Sequence, residues 1–207
     1  MYLPSYHAAP SLEAMLALVE AHPLGTLIST TEEGLVADHL PFVLERASGA
    51  HGRLLAHVAR ANPVWRSWAS GAPVLVVFQG PSHYLSPSWY TSKQANYQAV
   101  HVGGRPRLIE EPQALLAMLE RLTGQSEKPL HGDAHWRVAD APTDFIEQLS
   151  RAIVGFEIEI SSIQGRWKLA QDETPADRAG AMNGLGALGT PAALAMQQLM
   201  KTASPTP

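Results

Sequence analysis

Residues 153–161, IVGFEIEIS, alternate with a period of two. Val154, Phe156, Ile158 and Ile160 fall on one side, and Gly155, Glu157, Glu159 and Ser161 on the other. That period belongs to an extended strand, whose successive side chains point to opposite faces. One apolar face and one acidic face mark a strand half-buried in an antiparallel sheet. The chain must therefore build a sheet that covers a core on one side. Gly165 is expected to turn this strand back into RWKLA.

Further strands follow the same logic. LGTLIST and LVADHLPFVL flank the polar turn TEEG and read as a hairpin, RLLAHV as a third strand, and the almost wholly apolar PVLVVFQ as a central one. YQAVHV and RPRLI continue the sheet, with Gly103-Gly104 expected at a bend or bulge. Helices are predicted over SLEAMLALVEAH, capped by Ser11 and stopped by Pro23, from Asn62 to about Ser70, from Pro112 with the stripe Leu115, Leu116, Leu119 and Leu122, and from Pro142. GQSEKPLHGDAHW between the last two reads as a polar loop. Beyond Gln171 the chain turns rich in Ala and Gly, with helix starts at Thr174-Pro175 and Thr190-Pro191. The expected organisation is a mainly β domain over 1–172, an antiparallel barrel with inserted helices, followed by a helical C-terminal extension over 173–207.

Composition excludes several chemistries. The chain has no cysteine, which removes disulfides, thiolate catalysis and cysteine-ligated zinc or iron–sulfur centres. Its net charge of -4 and scattered basic residues argue against a general polyanion binder. No apolar run approaches the roughly 20 residues that span a bilayer, and no signal peptide is visible, so a cytoplasmic protein without a membrane partner is expected. Charged residues make up 16%, against about 25% in an average soluble domain, which suggests a surface partly covered by a second subunit.

Two stretches carry candidate binding groups. In HVARANPVW, Asn62 and Pro63 start a helix whose first turn offers unpaired N–H groups, and Arg60 adds a forked cation just before it. That is either a phosphate seat or a capped surface helix with a solvated arginine. VLVVFQGPSHYLSPSWY leaves a buried strand and enters a loop in which Gln79, Ser86, Ser88, Trp89 and Tyr90 can bond to and stack on a flat polar heterocycle, unless it is simply a turn-rich loop. His131, Asp133 and His135 in HGDAH have a spacing that can grip a metal, but a third strong ligand is not apparent and no metal site is expected.

Taken in order, MYLPSYH, ADHLPFVL, HVARANPVW, VVFQGPSHYLSPSWY, NYQAVHVGGRPRLI, IVGFEIEI and KLAQ resemble the signatures of the PaiB family, FMN-binding split-barrel proteins described as negative transcriptional regulators. The resemblance runs from residue 1 to about residue 186. It implies a six-stranded antiparallel split β-barrel, a homodimer, and FMN at the subunit interface. It assigns Arg60 and Asn62 to the phosphate with His57 nearby, and the loop holding Ser86, Ser88 and Trp89 to the flavin ring or ribityl chain. Lys168 and Gln171 match the family's late motif and are expected at the same site. Three positions depart from the family pattern: Ala95 replaces a tryptophan, Gly103 an aromatic, and Asp172 a neutral amide.

Two classes of function follow from the resemblance. One is an FMN-binding regulator acting through flavin or partner binding; the other is a flavin-dependent oxidoreductase or flavin reductase. A repressor that binds DNA directly ranks third, because the well-defined helices have dedicated apolar stripes and the tail TPAALAMQQLM carries only Lys201 as a base. Arg105 and Arg107, two apart on one strand, are the expected seed of any basic patch.

Overall fold

A computed structural model describes residues 1–89 and 94–203; Tyr90 lies outside the described residues. In chain order the elements are α1 (Leu12–Ala21), β1 (Leu24–Thr31), β2 (Gly34–Pro41), β3 (Val43–Glu45), β4 (Arg53–Ala59), α2 (Val64–Ser67), β5 (Val74–Leu85), β6 (Gln94–Ile109), α3 (Pro112–His131), α4 (Thr143–Arg151), β7 (Ile153–Lys168), α5 (Pro175–Leu188) and α6 (Pro191–Thr202). The strands form one sheet in the order β2-β1-β5-β6-β7-β4-β3. The fold class is the expected antiparallel split β-barrel with peripheral helices. The sheet has seven strands instead of six, because the three residues of β3 pair with β4, Val43 opposite Leu55. Among the described residues no helix is long and apolar enough to cross a membrane.

The chain divides into two compact units. One comprises Val19–Phe78 and Val102–Ile163 and contains the hairpin β1–β2, in register from Leu24↔Pro41 to Thr31↔Gly34. Here β4 pairs with β7 from Arg53↔Glu159 to Ala59↔Ile153. Phe156 is fully buried, its ring edge-on to Phe42 at 6.2 Å and tilted against Trp68 at 4.6 Å. The Trp68 indole N–H donates to Ser29 Oγ at 3.1 Å, so its one polar atom is satisfied inside the core. A second cluster, Val43, Leu55, Met118 and Leu122, seats α3 on β3 and β4.

Several local expectations change in this unit. α3 runs on to His131 through the stretch predicted as a polar loop. Pro129 stands in its last turn, where a lost N–H costs one bond at a fraying end, and Gln125 Nε2 anchors the helix by donating to the Phe42 carbonyl at 3.0 Å. β6 is continuous through Gly103 and Gly104. A Cβ on Gly104 would lie 2.4 Å from the Glu159 carbonyl oxygen, so this glycine serves a close approach, not a bend. α2 has four residues, with 3-10 geometry from Trp68 to Ser70.

The other unit comprises Met1–Leu18, Gln79–His101 and Gln164–Pro207. Gly80 to Leu85, expected in a loop, belong to β5. Gly165 does not turn the chain: β7 continues to Lys168, and a Cβ there would lie 2.6 Å from that of Ala9, whose N–H donates to the Gly165 carbonyl at 2.9 Å. Thr174 and Thr190 cap α5 and α6 through side chains that accept from the N–H groups of Asp177 and Ala193. Arg178 on α5 is buried and donates to the carbonyls of Leu169, Ala170, Met200 and Ala203, which fixes α6 and the turn after β7.

The Phe42–Phe156–Trp68 cluster generates the first prediction. Phe156→Ala should destabilise the protein by about 3–5 kcal/mol, the usual cost of truncating a fully buried phenylalanine. Urea unfolding measures it, and a loss below about 1 kcal/mol would show that the cluster is not the organising core.

Candidate functional site

The residues singled out in the sequence fall into two groups, one in each unit. In the first group, β4 ends at Ala59 and the chain turns into α2. Arg60 is committed at that junction: Nε donates to the Arg151 carbonyl and Nη2 to the Ile153 carbonyl, each at 2.8 Å. Its backbone N–H donates to the Ala152 carbonyl. The guanidinium thus closes the C-terminal end of α4, where unpaired carbonyls and the helix dipole both favour a cation. Asn62 is also occupied: Oδ1 accepts from Val64 N–H at 3.0 Å and Nδ2 donates to Asp38 Oδ1 at 2.8 Å. Pro63 holds the cap position.

A cavity of about 570 Å³ opens beside this junction, lined by Val36, Asp38, Asn62, Val64, Arg66 and Ser67 among others. Its size falls within the range of small-molecule sites. Arg66, not Arg60, is the cation on it. Its guanidinium stacks over the Trp65 ring at 5.1 Å and, among the described residues, has no carboxylate or carbonyl acceptor. Sequence reasoning missed Arg66 because an exposed arginine on a short helix looks solvated. His57 lies on β4 with Nδ1 buried and unpartnered.

In the other unit, Lys168 and Gln171 end and follow β7. Gln171 is buried and spent on its own turn, accepting from Leu169 N–H at 2.7 Å and donating to the Trp167 carbonyl. Lys168 is half-buried, and its ammonium has no hydrogen bond or ion pair among the described residues. Asp172 finds a partner in His7, Nε2 to Oδ1 at 3.3 Å. Arg166 approaches His7 Nδ1 at 3.5 Å and lies over the rings of Tyr2 and Tyr97, 5.6 Å from each. Arginine only donates and a carboxylate only accepts, so the network requires a neutral His7 carrying its proton on Nε2. Ser86 and Ser88 bond to each other at 2.7 Å, and Gln79 Nε2 approaches Ser82 Oγ at 3.4 Å. Trp89 lies against α5, where a Cβ on Gly184 would fall 2.1 Å from the indole. Asn96 on β6 is fully buried, and among the described residues neither amide atom has a partner.

The basic side chains sort by what they touch. Arg46, Arg53, Arg107, Arg121, Arg137 and Arg151 face carboxylates. Arg60, Arg105, Arg166 and Arg178 donate to backbone carbonyls, and Lys201 to Gln197. Among the described residues, Arg66, Lys128 and Lys168 are left without an acceptor. Lys128 is exposed on α3 and Lys168 is half-buried.

The family described as "Putative FMN-binding domain" matches residues 1–162 of this chain. The "Protease synthase and sporulation protein PAI 2" of Bacillus subtilis (strain 168) is 31% identical over 207 residues, 97% of each chain. An uncharacterized protein of Emericella nidulans is 29% identical over 242 residues, covering 97% of this chain and 96% of the relative. Among solved structures, the FAD and heme binding protein of Mycobacterium smegmatis has a TM-score of 0.60 at 18% identity, covering 84% of this chain and 79% of that one. The flavocytochrome Anf3 of Azotobacter vinelandii also has a TM-score of 0.60, at 14% identity, covering 80% of this chain and 72% of that one. At these identities the two structures share the fold.

Burial sets the protonation of three histidines. It lowers the pKa of His57 and of His101, and for His7 it outweighs the opposing pull of Asp172. A histidine whose folded value lies below its unfolded value binds more protons when unfolded. Its folded neutral form therefore keeps full stability above the ordinary value of 6.5 and loses it as pH falls below that. Thermal melts should be flat above about pH 7 and decline from about pH 6.5 toward pH 5, above the range where carboxylates titrate. A melting temperature constant down to about pH 5 would remove the buried imidazoles as titrating groups.

Proposed function

The chain belongs to the FMN-binding domain family and takes FMN as its cofactor; from that premise we propose that it is a regulator whose state follows its flavin. The observation that carries the binding half is Lys168, a half-buried ammonium with no acceptor among the described residues. Burial lowers its pKa, with Arg166 adding to the effect and the carboxylates of Asp172 and Glu173 opposing it, and a bound anion would offset the cost of burying the charge. The residues present fit a phosphate-bearing cofactor. In one unit, Arg66 is the alternative phosphate contact, with Asn62 and Ser67 beside it and Glu32, Glu33 and Asp38 opposing it on the same cavity. In the other, Lys168 would bind negative charge while Gln79, Ser86, Ser88 and Trp89 supply hydrogen bonds and a stacking surface. When bound, a flavin supplies reversible one- and two-electron chemistry.

The regulatory half is supported by the likeness to the sporulation protein, which spans 97% of both chains. We take the active form to be a cytoplasmic homodimer, in keeping with a charged fraction of 16% and no cysteine. Its output runs through a protein or small-molecule contact, not through direct DNA reading. Arg105, one seed of a possible basic patch, donates to the Gly71 carbonyl, and Arg107 pairs with Glu159 at 3.8 Å.

Titration of the purified protein with FMN and riboflavin, followed by flavin fluorescence, tests the binding half. FMN should bind more tightly, and Arg66→Ala or Lys168→Ala should weaken FMN by about 1.5–3 kcal/mol while changing riboflavin little. Equal losses for both ligands, in both variants, would place the phosphate elsewhere. Steady turnover of a nicotinamide donor by the FMN-loaded protein would favour an oxidoreductase over a regulator.

A further inference from the structure

The turn after β7 is held more firmly than its length requires. Ala170 is fully buried with a φ of 58°, and among the described residues it is the one residue other than glycine with a positive φ. A left-handed alanine is strained, and such strain persists only where surrounding contacts fix it. Gln171 spends both amide atoms inside the turn, and the buried Arg178 donates to the carbonyls of Leu169 and Ala170.

Lys168 and Asp172 flank this turn, and the Asp172 charge acts on the Lys168 ammonium. Opposite charges so placed pair unless one of them is engaged elsewhere. Among the described residues they form no ion pair; the carboxylate is taken by His7, whose Nε2 lies 3.3 Å from Oδ1. His7 is buried and well anchored on the N-terminal segment. Its N–H donates to the Pro4 carbonyl, Tyr6 meets its ring edge-on at 4.6 Å, and the following Ala8 pairs with Arg166 of β7. Arg166, which donates to the Tyr2 carbonyl, stands 3.5 Å from the other ring nitrogen. The remaining charge in the group is Glu173, which also acts on Lys168.

We propose that His7 is a positioning residue for the anion seat at Lys168: by holding Asp172 it keeps that carboxylate from pairing with the ammonium. The seat then stays open to the phosphate of a ligand. A neutral imidazole suits this task, because it donates a hydrogen bond without adding a cation that would compete for the same anion. The proposal rests on the reading of Lys168 given above.

Two measurements on the full chain test it. The first needs no ligand: NMR titration of the Lys168 side chain. His7→Ala releases Asp172 to pair with Lys168 and should raise the Lys168 pKa, whereas Asp172→Asn should lower it further. The second is FMN and riboflavin affinity at low ionic strength, where surface charge is least screened. His7→Ala should weaken FMN and Asp172→Asn should tighten it, each by about threefold to fivefold, the range of a solvent-screened charge pair, with riboflavin unchanged. In the double variant FMN should bind as in Asp172→Asn alone, since no carboxylate is left to release; a merely structural His7 would give additive losses. A Lys168 pKa unmoved by His7→Ala, or an FMN loss that persists in the double variant, would overturn the role of His7. If His7→Ala does not fold, Asp172→Asn at its partly exposed position decides, and an unmoved Lys168 pKa there overturns the proposal. FMN affinity unchanged by Lys168→Ala would instead overturn the phosphate reading, and the NMR titration would still decide what His7 does.

Discussion

The pairing of β7 with β4 is the constraint on which the rest of the molecule hangs. Seven consecutive pairs, from Arg53↔Glu159 to Ala59↔Ile153, fix which side chains of β7 enter the core. A slip of one residue would send Val154, Phe156, Ile158 and Ile160 to the outer face. The pairing also fixes charge, because it brings Arg53 within 2.7 Å of Glu157. At the start of β7 both faces are covered: a Cβ on Gly155 would lie 2.6 Å from Leu115 Cδ1 of α3. A glycine there lets the helix lie directly on the strand.

The strands were legible because their period is local. IVGFEIEIS states its faces within a few residues, and Val154, Phe156, Ile158 and Ile160 are buried; LLAHV and PVLVVFQ read as apolar runs and fall in β4 and β5. Gly155 is the instructive exception, since the alternation sends it to solvent and only α3, packed from elsewhere in the chain, buries it. The length of α3 was illegible for a similar reason. GQSEKPLH lacks an apolar stripe, and the contact that holds it, Gln125 to the Phe42 carbonyl, joins residues 83 apart. Gly165 reads as a turn, and Gly104 as part of a bend or bulge, because sequence does not reveal what approaches a glycine.

For the candidate binding residues, sequence conveys position and not availability. HVARANPVW marks the junction correctly, yet the acceptors of Arg60 are 91 and 93 residues downstream. Asp172 looked like a misplaced charge until its partner emerged 165 residues away in His7. Nothing in the structure explains the glycine at Gly103, where a Cβ would meet only the side chain of Ser162. Motif matching finds the neighbourhood of a site, whereas the hydrogen-bond partners decide which side chains are free to act.

The division between arginine and lysine follows from their shapes. Arginine's planar fork can satisfy several carbonyls at once and keeps its charge when partly buried. Arg60 does this at the end of α4, and Arg178 at the end of α6 and in the turn after β7. In both places carbonyls left over at a helix end receive donors they would otherwise lack. Lysine has a single nitrogen and responds to burial by losing affinity for its proton, as Lys168 does. Arginine thus serves this chain both as internal thread and, at Arg46, Arg53, Arg107, Arg121, Arg137 and Arg151, as the partner of carboxylates. Its exposed Arg66, stacked on Trp65, and its half-buried Lys168 stand outside that pattern, since among the described residues neither donates to a carboxylate or a carbonyl.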